Sequence, residues 1–294
     1  MAKLPKQGIP GSDLRDLMRE ATTEDLPWKE RLASGVSYPA GDDVLQVAQE
    51  AYIDFFSANA LYPTIFPSLA RFEHEVVEMA ADLLHGEHAV GSIASGGTES
   101  NLLAVKSARD RARALRPEVT APEMVIPASA HPSFWKAAGY FGLEVVVTPL
   151  TEDGVVDVPA YLAAVNGNTV LMVGTAPSTI LGMVDPIPDM AAVAEDRNIS
   201  FHVDACVGGF FLPFAEKLGN PVVPWDFRVP GVTTISADLH KFGYTAKGAS
   251  VILSRDPEIY SYQVFEFGPP MRPKGYYDTP TIAGTRPGGA IAAA

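Results

Sequence analysis

From residue 89 onward, short apolar runs alternate with segments whose apolar residues recur at helical spacing. The apolar runs predict strands over residues 89–94, 123–127, 143–149, 169–175, 199–203, 232–236 and 249–253. The intervening segments predict helices over residues 98–115, 131–141, 157–166, 188–197 and about 208–218. Apolar strands separated by helices imply an α/β fold, with a mostly parallel sheet covered on both faces. The short connection before the last strand allows one antiparallel member.

The chain before this alternation has a different pattern. Helical spacing predicts helices over residues 12–20, 42–57 and 68–84. We therefore expect residues 1–60 to form an N-terminal segment and residues 61–294 to form the large domain. At the other end, Ala290–Ala294 resembles the first turn of a helix. We expect the chain to be a fragment of a longer protein.

Composition limits the classes of partner. The formal net charge of −13 argues against nucleic acid or an anionic membrane as the main partner. No apolar run approaches the roughly 18 residues that a transmembrane helix needs, and Met1–Pro10 lacks a secretory signal. Cys206 is the single cysteine, which excludes an internal disulfide. We expect a cytoplasmic protein.

Lys241 lies between two predicted strands, in the stretch Ser236–Tyr244. A lysine held near apolar walls has its ammonium form disfavoured, which makes the amine available as a nucleophile. One interpretation is a Schiff-base lysine for a carbonyl cofactor. The other is a loop lysine that pairs with a nearby carboxylate. This stretch alone does not decide between them.

Two further predicted strands end at residues that could bind a ligand with a phosphate group and an aromatic ring. Ser95–Asn101 follows a strand and opens a helix, so its glycines and first N–H groups could bind phosphate. The commoner meaning of such a segment is an ordinary strand-to-helix turn with a hydroxyl cap. His131 stands at the exit of another strand, where it could stack on an aromatic ring or simply cap the next helix.

Asp204 ends the apolar strand that contains Phe201 and Val203. A carboxylate at that edge of the sheet could keep a pyridine nitrogen protonated, or could cap the following helix. The histidines have no zinc-type spacing and Cys206 has no cysteine partner, so we expect no metal site. Together these strand ends supply contacts for the phosphate, the ring face, the ring nitrogen and the aldehyde of pyridoxal phosphate.

Several motifs, in order along the chain, carry a family resemblance. They are Ser95–Asn101, Ala130-His131, Ala138–Gly142, His202–Phe210, Trp225–Val229, Ser236–Gly248 and Thr281–Gly289. From about residue 30 to its end, the chain resembles the sphingosine-1-phosphate lyase branch of the pyridoxal-phosphate-dependent group II decarboxylases. The resemblance implies the aspartate-aminotransferase-like fold (fold type I). It also implies that the C-terminal small domain and the membrane anchor of eukaryotic members are missing here.

The resemblance implies roles for individual residues. Lys241 would bond to the cofactor's aldehyde, Asp204 would pair with its ring nitrogen, and His131 would stack on its ring. Around the phosphate the resemblance implies Gly97, Thr98, Ser236 and His240. It also implies a homodimer with shared active sites, in which Arg286 reaches the site of the neighbouring subunit.

The substrate side both matches and departs from the family. Lys247 and Tyr38 occupy positions that in the lyases face the substrate's polar head. Tyr62 stands where the lyases have a histidine, and Ser178–Gly182 lacks a second expected histidine. The resemblance implies cleavage of a phosphorylated long-chain amino alcohol to an aldehyde and phosphoethanolamine. The departures at Tyr62 and Leu181 keep amino-acid decarboxylation open as the alternative.

Overall fold

The computed structural model describes residues 4–27, 35–267 and 277–294. The chain divides into two compact units, Met1–Pro39 and Ala40–Ala294. The first unit contains helix α1 (Gly11–Ala21), followed by a short 3-10 turn at Thr22–Glu24. The expected boundary after residue 60, between an N-terminal segment and the large domain, stays a prediction.

The second unit is built on a seven-stranded sheet. The strands are β1 (Val90–Ala94), β2 (Glu123–Pro127), β3 (Glu144–Thr148), β4 (Thr169–Thr175), β5 (Ser200–Asp204), β6 (Thr234–Ala237) and β7 (Ser250–Ser254). They lie in the order β1-β7-β6-β5-β4-β2-β3. Strand β7 runs antiparallel to both β1 and β6, whereas the other pairs are parallel. The predicted mostly parallel sheet and its antiparallel member are confirmed.

Helices precede the sheet and connect its strands. They are α2 (Asp42–Asp54), α3 (Pro67–Leu83), α4 (Gly97–Leu115), α5 (Ser133–Phe141), α6 (Val158–Ala164), α7 (Ile187–Asp196) and α8 (Leu212–Lys217), followed by α9 (Pro257–Ser261) and α10 (Gly288–Ala293). The helix predicted over 208–218 is shorter than expected, because the chain turns before Leu212 and Pro213. Helix α9 was not predicted, and neither was the hairpin of β8 (Phe265–Phe267) and β9 (Tyr277–Thr279).

Two apolar layers hold the helices to the two faces of the sheet. Met124 and Ile126 belong to one buried cluster, whereas Val125 between them belongs to the other. This alternation follows from the geometry of a strand, where successive side chains point to opposite faces. Every residue of β4, β5, β6 and β7 is buried. Within the described part of the chain, none of the helices has the length and hydropathy needed to cross a membrane.

The register of the sheet brings three polar strand ends side by side. Thr175 of β4 pairs with Asp204 of β5, and Asp204 pairs with Ser236 of β6. Helix α4 starts at Gly97, immediately after β1 and a short turn. The carboxyl ends of parallel strands form one edge of the sheet, which is where α/β proteins bind ligands.

Candidate active site

A cavity of about 330 Å³ lies at this edge of the sheet. Its wall combines glycines, hydroxyl groups, carboxylates, two histidines and one lysine. The lining residues are Ser95, Gly96, Gly97, Thr98, Glu99, Asn101, His131, Thr179, Asp204, Cys206, Asp238, His240 and Lys241. Residues from four separate predicted motifs therefore meet at one cavity.

Lys241 reaches the cavity from the loop after β6. Its Nζ lies 3.0 Å from Oδ2 of Asp238, which is almost fully buried. Burial alone would lower the pKa of Lys241, but the charge of Asp238, its hydrogen bond to Lys241 and the nearby Cys206 and Asp204 together raise the pKa above its ordinary value. The expectation that apolar surroundings disfavour the ammonium form is wrong for this structure, because the buried carboxylate stabilises the charge. The second oxygen of Asp238, Oδ1, is buried, and none of the residues that the structure describes forms a hydrogen bond to it.

Asp204 presents its carboxylate at the end of β5. Its Oδ1 accepts a hydrogen bond from the backbone N–H of Cys206 at 3.1 Å, and its Oδ2 accepts one from Nδ2 of Asn101 at 2.8 Å. Burial alone would raise the pKa of Asp204, but neighbouring His202 and these hydrogen bonds hold it below its ordinary value. The carboxylate therefore stays charged in the cavity wall.

His131 lines the cavity just before α5. Its Nδ1 accepts a hydrogen bond from the backbone N–H of Ser133 at 3.2 Å and lies 2.9 Å from the Ser133 hydroxyl. An Nδ1 that accepts from the backbone leaves the proton of the neutral ring on Nε2. The hydrogen bonds to Ser133 thus fix both the tautomer and the orientation of the ring.

The start of α4 forms the anion-compatible part of the wall. Helices leave their first N–H groups without intrahelical partners, and a 19-residue helix adds its dipole there. Gly96 has φ +156°, and a Cβ on it would lie 3.2 Å from Cε1 of His240. A Cβ on Gly97 would lie 2.5 Å from Sγ of Cys206. The positive φ favours glycine at position 96, whereas at position 97 glycine is required because neighbouring side chains approach the backbone closely.

Glu99 stabilises this turn from inside the helix. One carboxylate oxygen accepts a hydrogen bond from the N–H of Ser95 at 2.7 Å. The other accepts hydrogen bonds from the N–H groups of Ile282 and Ala283, at 2.8 and 3.3 Å. The late segment that contains Thr281–Gly289 is thereby held against the start of α4.

The two remaining predicted phosphate contacts differ in position. His240 lines the cavity, and its Nδ1 accepts the N–H of Ala249 at 3.2 Å, while burial lowers its pKa. Ser236 does not belong to the cavity wall. It is fully buried and donates its hydroxyl to Oδ1 of Asn101 at 2.9 Å. A direct contact between Ser236 and a phosphate stays a prediction that this placement does not support.

Three of the predicted substrate residues, Lys247, Tyr62 and Arg286, do not line the cavity. Lys247 donates to the backbone oxygen of His240 at 3.0 Å, and burial together with Lys241 lowers its pKa. Tyr62 is 46% exposed. Arg286 is bound to Glu73 and to the backbone oxygens of Ile93 and Ala60, both at 3.3 Å.

Tyr38 belongs to the N-terminal unit, where its hydroxyl donates to the Gly35 oxygen at 3.3 Å. The substrate roles of Tyr38, Tyr62, Lys247 and Arg286 therefore stay predictions.

Several cavity residues were not predicted individually. Asn101 lay within the motif Ser95–Asn101, but a polar residue in the second turn of a helix carries no clear signal. Asp238 could have been suspected, because a carboxylate three positions before Lys241 is able to pair with it across a turn. Cys206 and Thr179 gave no signal, since their proximity to the site arises only from the folding of the chain.

Comparisons with known proteins agree with this geometry. The family model of the pyridoxal-dependent decarboxylase conserved domain matches residues 28–268. The chain is 43% identical to sphingosine-1-phosphate lyase 1 of Rattus norvegicus, over 99% of this chain and 51% of that protein. It is 36% identical to a probable L-aspartate decarboxylase of Pyrococcus abyssi, over 100% of this chain and 74% of that protein. The chain spans about half the length of the curated lyases that it matches.

A solved structure agrees with both the fold and the sequence. A sphingosine-1-phosphate lyase from Burkholderia pseudomallei superposes with a TM-score of 0.93 at 40% sequence identity, covering 100% of this chain and 69% of that chain. The mostly parallel sheet is therefore the large-domain fold of such enzymes. The chain belongs to the pyridoxal-dependent decarboxylase family.

Proposed function

We propose that this chain is the large domain of a pyridoxal-phosphate-dependent carbon–carbon lyase. Its substrate would be a phosphorylated long-chain amino alcohol of the sphingosine-1-phosphate type, and its products an aldehyde and phosphoethanolamine. The observation that carries the proposal is the meeting of Lys241, Asp204, His131 and the start of α4 at one cavity. It occurs in a chain that is 38–43% identical to sphingosine-1-phosphate lyases along 98–99% of its length.

The donors and acceptors of the cavity fit pyridoxal 5'-phosphate, the cofactor of this family. The start of α4, at Gly97 and Thr98, offers N–H groups and a hydroxyl to the phosphate, together with His240. Asp204 offers a charged carboxylate to the ring nitrogen. Lys241 offers an amine to the aldehyde, and its partner Asp238 has a buried oxygen to which no group in residues 4–27, 35–267 and 277–294 forms a hydrogen bond.

When bound, the cofactor would accept the electrons released by the bond that breaks next to the substrate nitrogen. The protein residues would control that chemistry. Asp204 would keep the ring nitrogen protonated, because its own pKa lies below the ordinary value. His131, with its orientation fixed by Ser133, would cover one face of the ring. Asp238 would hold the proton of Lys241 until the amine is needed.

Amino-acid decarboxylation is the second candidate. It is favoured by Tyr62, which stands where the lyases have a histidine. A tyrosine carries no positive charge near pH 7 and so offers no charge to the phosphate of a lyase substrate. The 36% identity to a probable L-aspartate decarboxylase over the whole chain also agrees with it. We prefer the lyase reaction because the chain is 42–43% identical to two of the lyases and 36% identical to the probable decarboxylase.

The proposal also includes the location of the enzyme, its assembly and its reaction partner. The enzyme would be a cytoplasmic homodimer whose subunits share their active sites, and Arg286 would contribute to the neighbouring site. Its partner in catalysis would be a small-molecule amine. Sedimentation velocity of the purified protein tests the dimer, and a monomer at assay concentration would contradict it.

The cofactor part of the proposal is tested by the visible absorption of purified protein after addition of pyridoxal phosphate. Lys241→Ala should abolish the absorption of covalently attached cofactor and lower turnover by several orders of magnitude. Lys217→Ala, which changes an exposed lysine on α8, should leave both unchanged. Attachment and turnover in the Lys241→Ala variant at the level of the unsubstituted protein would show that the assignment is wrong.

The reaction itself is tested by identifying the products from two candidate amines. A long-chain aldehyde released from a phosphorylated amino alcohol supports the lyase. Carbon dioxide released from L-aspartate or L-glutamate, without aldehyde formation from the amino alcohol, supports the decarboxylase.

A further inference from the structure

Asn101 is a buried side chain, 1% exposed, that contacts several of the groups around the cavity. Its Nδ2 donates one hydrogen bond to Oδ2 of Asp204 at 2.8 Å and a second to the hydroxyl of Ser133 at 2.9 Å. Its Oδ1 accepts from the hydroxyl of Ser236 at 2.9 Å and lies 3.1 Å from Nε2 of His202. All four hydrogen-bonding positions of the amide are therefore used.

The orientation of the amide is determined by Asp204. In the reversed orientation, Oδ1 of Asn101 would face the Asp204 carboxylate, and two acceptors would oppose each other without a proton between them. In the orientation that the structure shows, Oδ1 of Asn101 points towards Nε2 of His202. The proton of that neutral imidazole must therefore lie on Nε2, and its Nδ1 accepts a hydrogen bond from the Thr234 hydroxyl at 2.9 Å. The network consequently has one consistent arrangement of its protons.

We propose that Asn101 is a positioning residue that fixes the ring-nitrogen carboxylate of Asp204 and, through Ser133, the imidazole of His131. One N–H of its Nδ2 binds Asp204 directly, and the other binds the Ser133 hydroxyl that contacts His131. A single amide thus sets the spacing between the group that contacts the cofactor's ring nitrogen and the group that covers the ring face. This inference rests on the proposed function and deepens it.

The diagnostic substitution is Asn101→Asp. It keeps the size of the side chain and an oxygen for Ser236, but it replaces the two N–H donors with a second carboxylate oxygen. Two carboxylates at hydrogen-bond distance cannot both be ionised without strong repulsion, so the pair would share a proton. Asp204 would then lose part of its charge near neutral pH. The hydroxyl oxygen of Ser133 would lose the hydrogen bond that it accepts from Nδ2 of Asn101.

The measurements are the dissociation constant for pyridoxal phosphate and the pH dependence of the visible spectrum of the loaded protein. We expect Asn101→Asp to weaken cofactor binding by at least about tenfold at pH 7.5, as for loss of a hydrogen bond to a charged group. We also expect a new titration in the spectrum, which a purely structural role would not produce. Asn101→Ala, which adds no charge, should weaken binding without that titration.

Ser107→Ala is the matched control. Its hydroxyl is also buried on α4 and donates to the Ile259 oxygen at 3.2 Å, but it does not line the cavity. It should lower the unfolding temperature without changing cofactor affinity or the spectrum. If Asn101→Asp does not fold, as judged by circular dichroism, the affinity of Asn101→Ala relative to Ser107→Ala decides.

The outcomes separate this inference from the proposed function. If the unsubstituted protein binds no pyridoxal phosphate, the proposed function itself fails. If it binds the cofactor and both Asn101 variants bind with the same affinity and spectrum, the positioning role is overturned while the proposed function remains.

Discussion

Nζ of Lys241 lies 3.0 Å from Oδ2 of Asp238, a carboxylate that is only 2% exposed. The pair explains why the pKa of this lysine is raised although burial opposes its charge. In the proposed function Lys241 would react with an aldehyde as a neutral amine, whereas its raised pKa favours the ammonium form. Asp238 would therefore control how much of the reactive form of Lys241 is present at a given pH.

Replacing Asp238 by asparagine should lower the pKa of Lys241, because burial would then act without its compensating charge. More neutral amine would be present at pH 7, and attachment of pyridoxal phosphate should be several-fold faster there. Stopped-flow absorbance across a pH series measures this rate. Asp110→Asn removes ion pairs to Lys106 and Arg109 on the same protein, outside the cavity wall, and should not change the rate. An unchanged pH profile in Asp238→Asn would contradict this account of the ion pair.

Gly97→Ala should damage both stability and cofactor binding. The added Cβ would lie 2.5 Å from Sγ of Cys206 and 2.8 Å from Oδ2 of Asp238, so the start of α4 would have to shift. Overpacking of this kind costs about 1–3 kcal/mol of unfolding free energy. Gly139→Ala on α5 is the control, because nothing lies within 4 Å of its added Cβ. It should be neutral or stabilise the fold by up to about 1 kcal/mol.

Urea unfolding of the two glycine variants and their dissociation constants for pyridoxal phosphate provide the comparison. Equal stability and equal cofactor affinity in Gly97→Ala and Gly139→Ala would mean that the close approach at α4 has no role.

The sheet was predictable because its strands are short apolar runs bounded by turn residues. Strands β4 to β7 are buried on both faces, which is why their sequences are almost continuously apolar. Helix α9 and the β8–β9 hairpin were not predictable in this way. A helix of five residues and strands of three residues are too short to show a period. The local cues for α9 were Pro257 at its first position and capping by Asp256, whose Oδ1 accepts the N–H of Ile259 at 2.9 Å.

The site was predictable only in part, for a related reason. Asp204, His131 and Lys241 follow strands or lie close after them, and the edge of a parallel sheet gathers such residues. The role of Asn101 depends on which face of α4 meets β5, and that is decided by packing across the whole sheet. Ser236 shows the same limit, since its position after Ile235 did not reveal that its hydroxyl would point towards Asn101.

Lys247→Gln should distinguish the two candidate reactions. If Lys247 binds the phosphate of a lyase substrate, loss of its charge should raise KM by about tenfold or more, with little change in cofactor affinity. KM for an amino acid without phosphate should change little. Lys217→Gln, at an exposed position, is the control and should leave KM unchanged. Steady-state kinetics with both substrate types measures the difference, and an unaltered KM for the phosphorylated substrate would remove Lys247 from the substrate site.

His202 should make the fold sensitive to acid. It is fully buried between Asn101 and Thr234, and burial lowers its pKa to about 4. In the unfolded chain the ordinary pKa is 6.5. Between these values the unfolded state binds a proton that the folded state does not, so the free energy of unfolding falls as the pH falls. From pH 7.5 to pH 5 this single group should cost about 2 kcal/mol.

His202→Gln removes that proton linkage. The variant should be less stable than the unsubstituted protein at pH 7.5, because it disturbs a buried hydrogen-bond network. Its further loss between pH 7.5 and pH 5 should nevertheless be smaller by about 2 kcal/mol. Urea unfolding at the two pH values measures both effects, with exposed His74→Gln as the control for removing one imidazole. If His202→Gln and His74→Gln lose the same free energy on acidification, the buried neutral imidazole is not the acid-sensitive group.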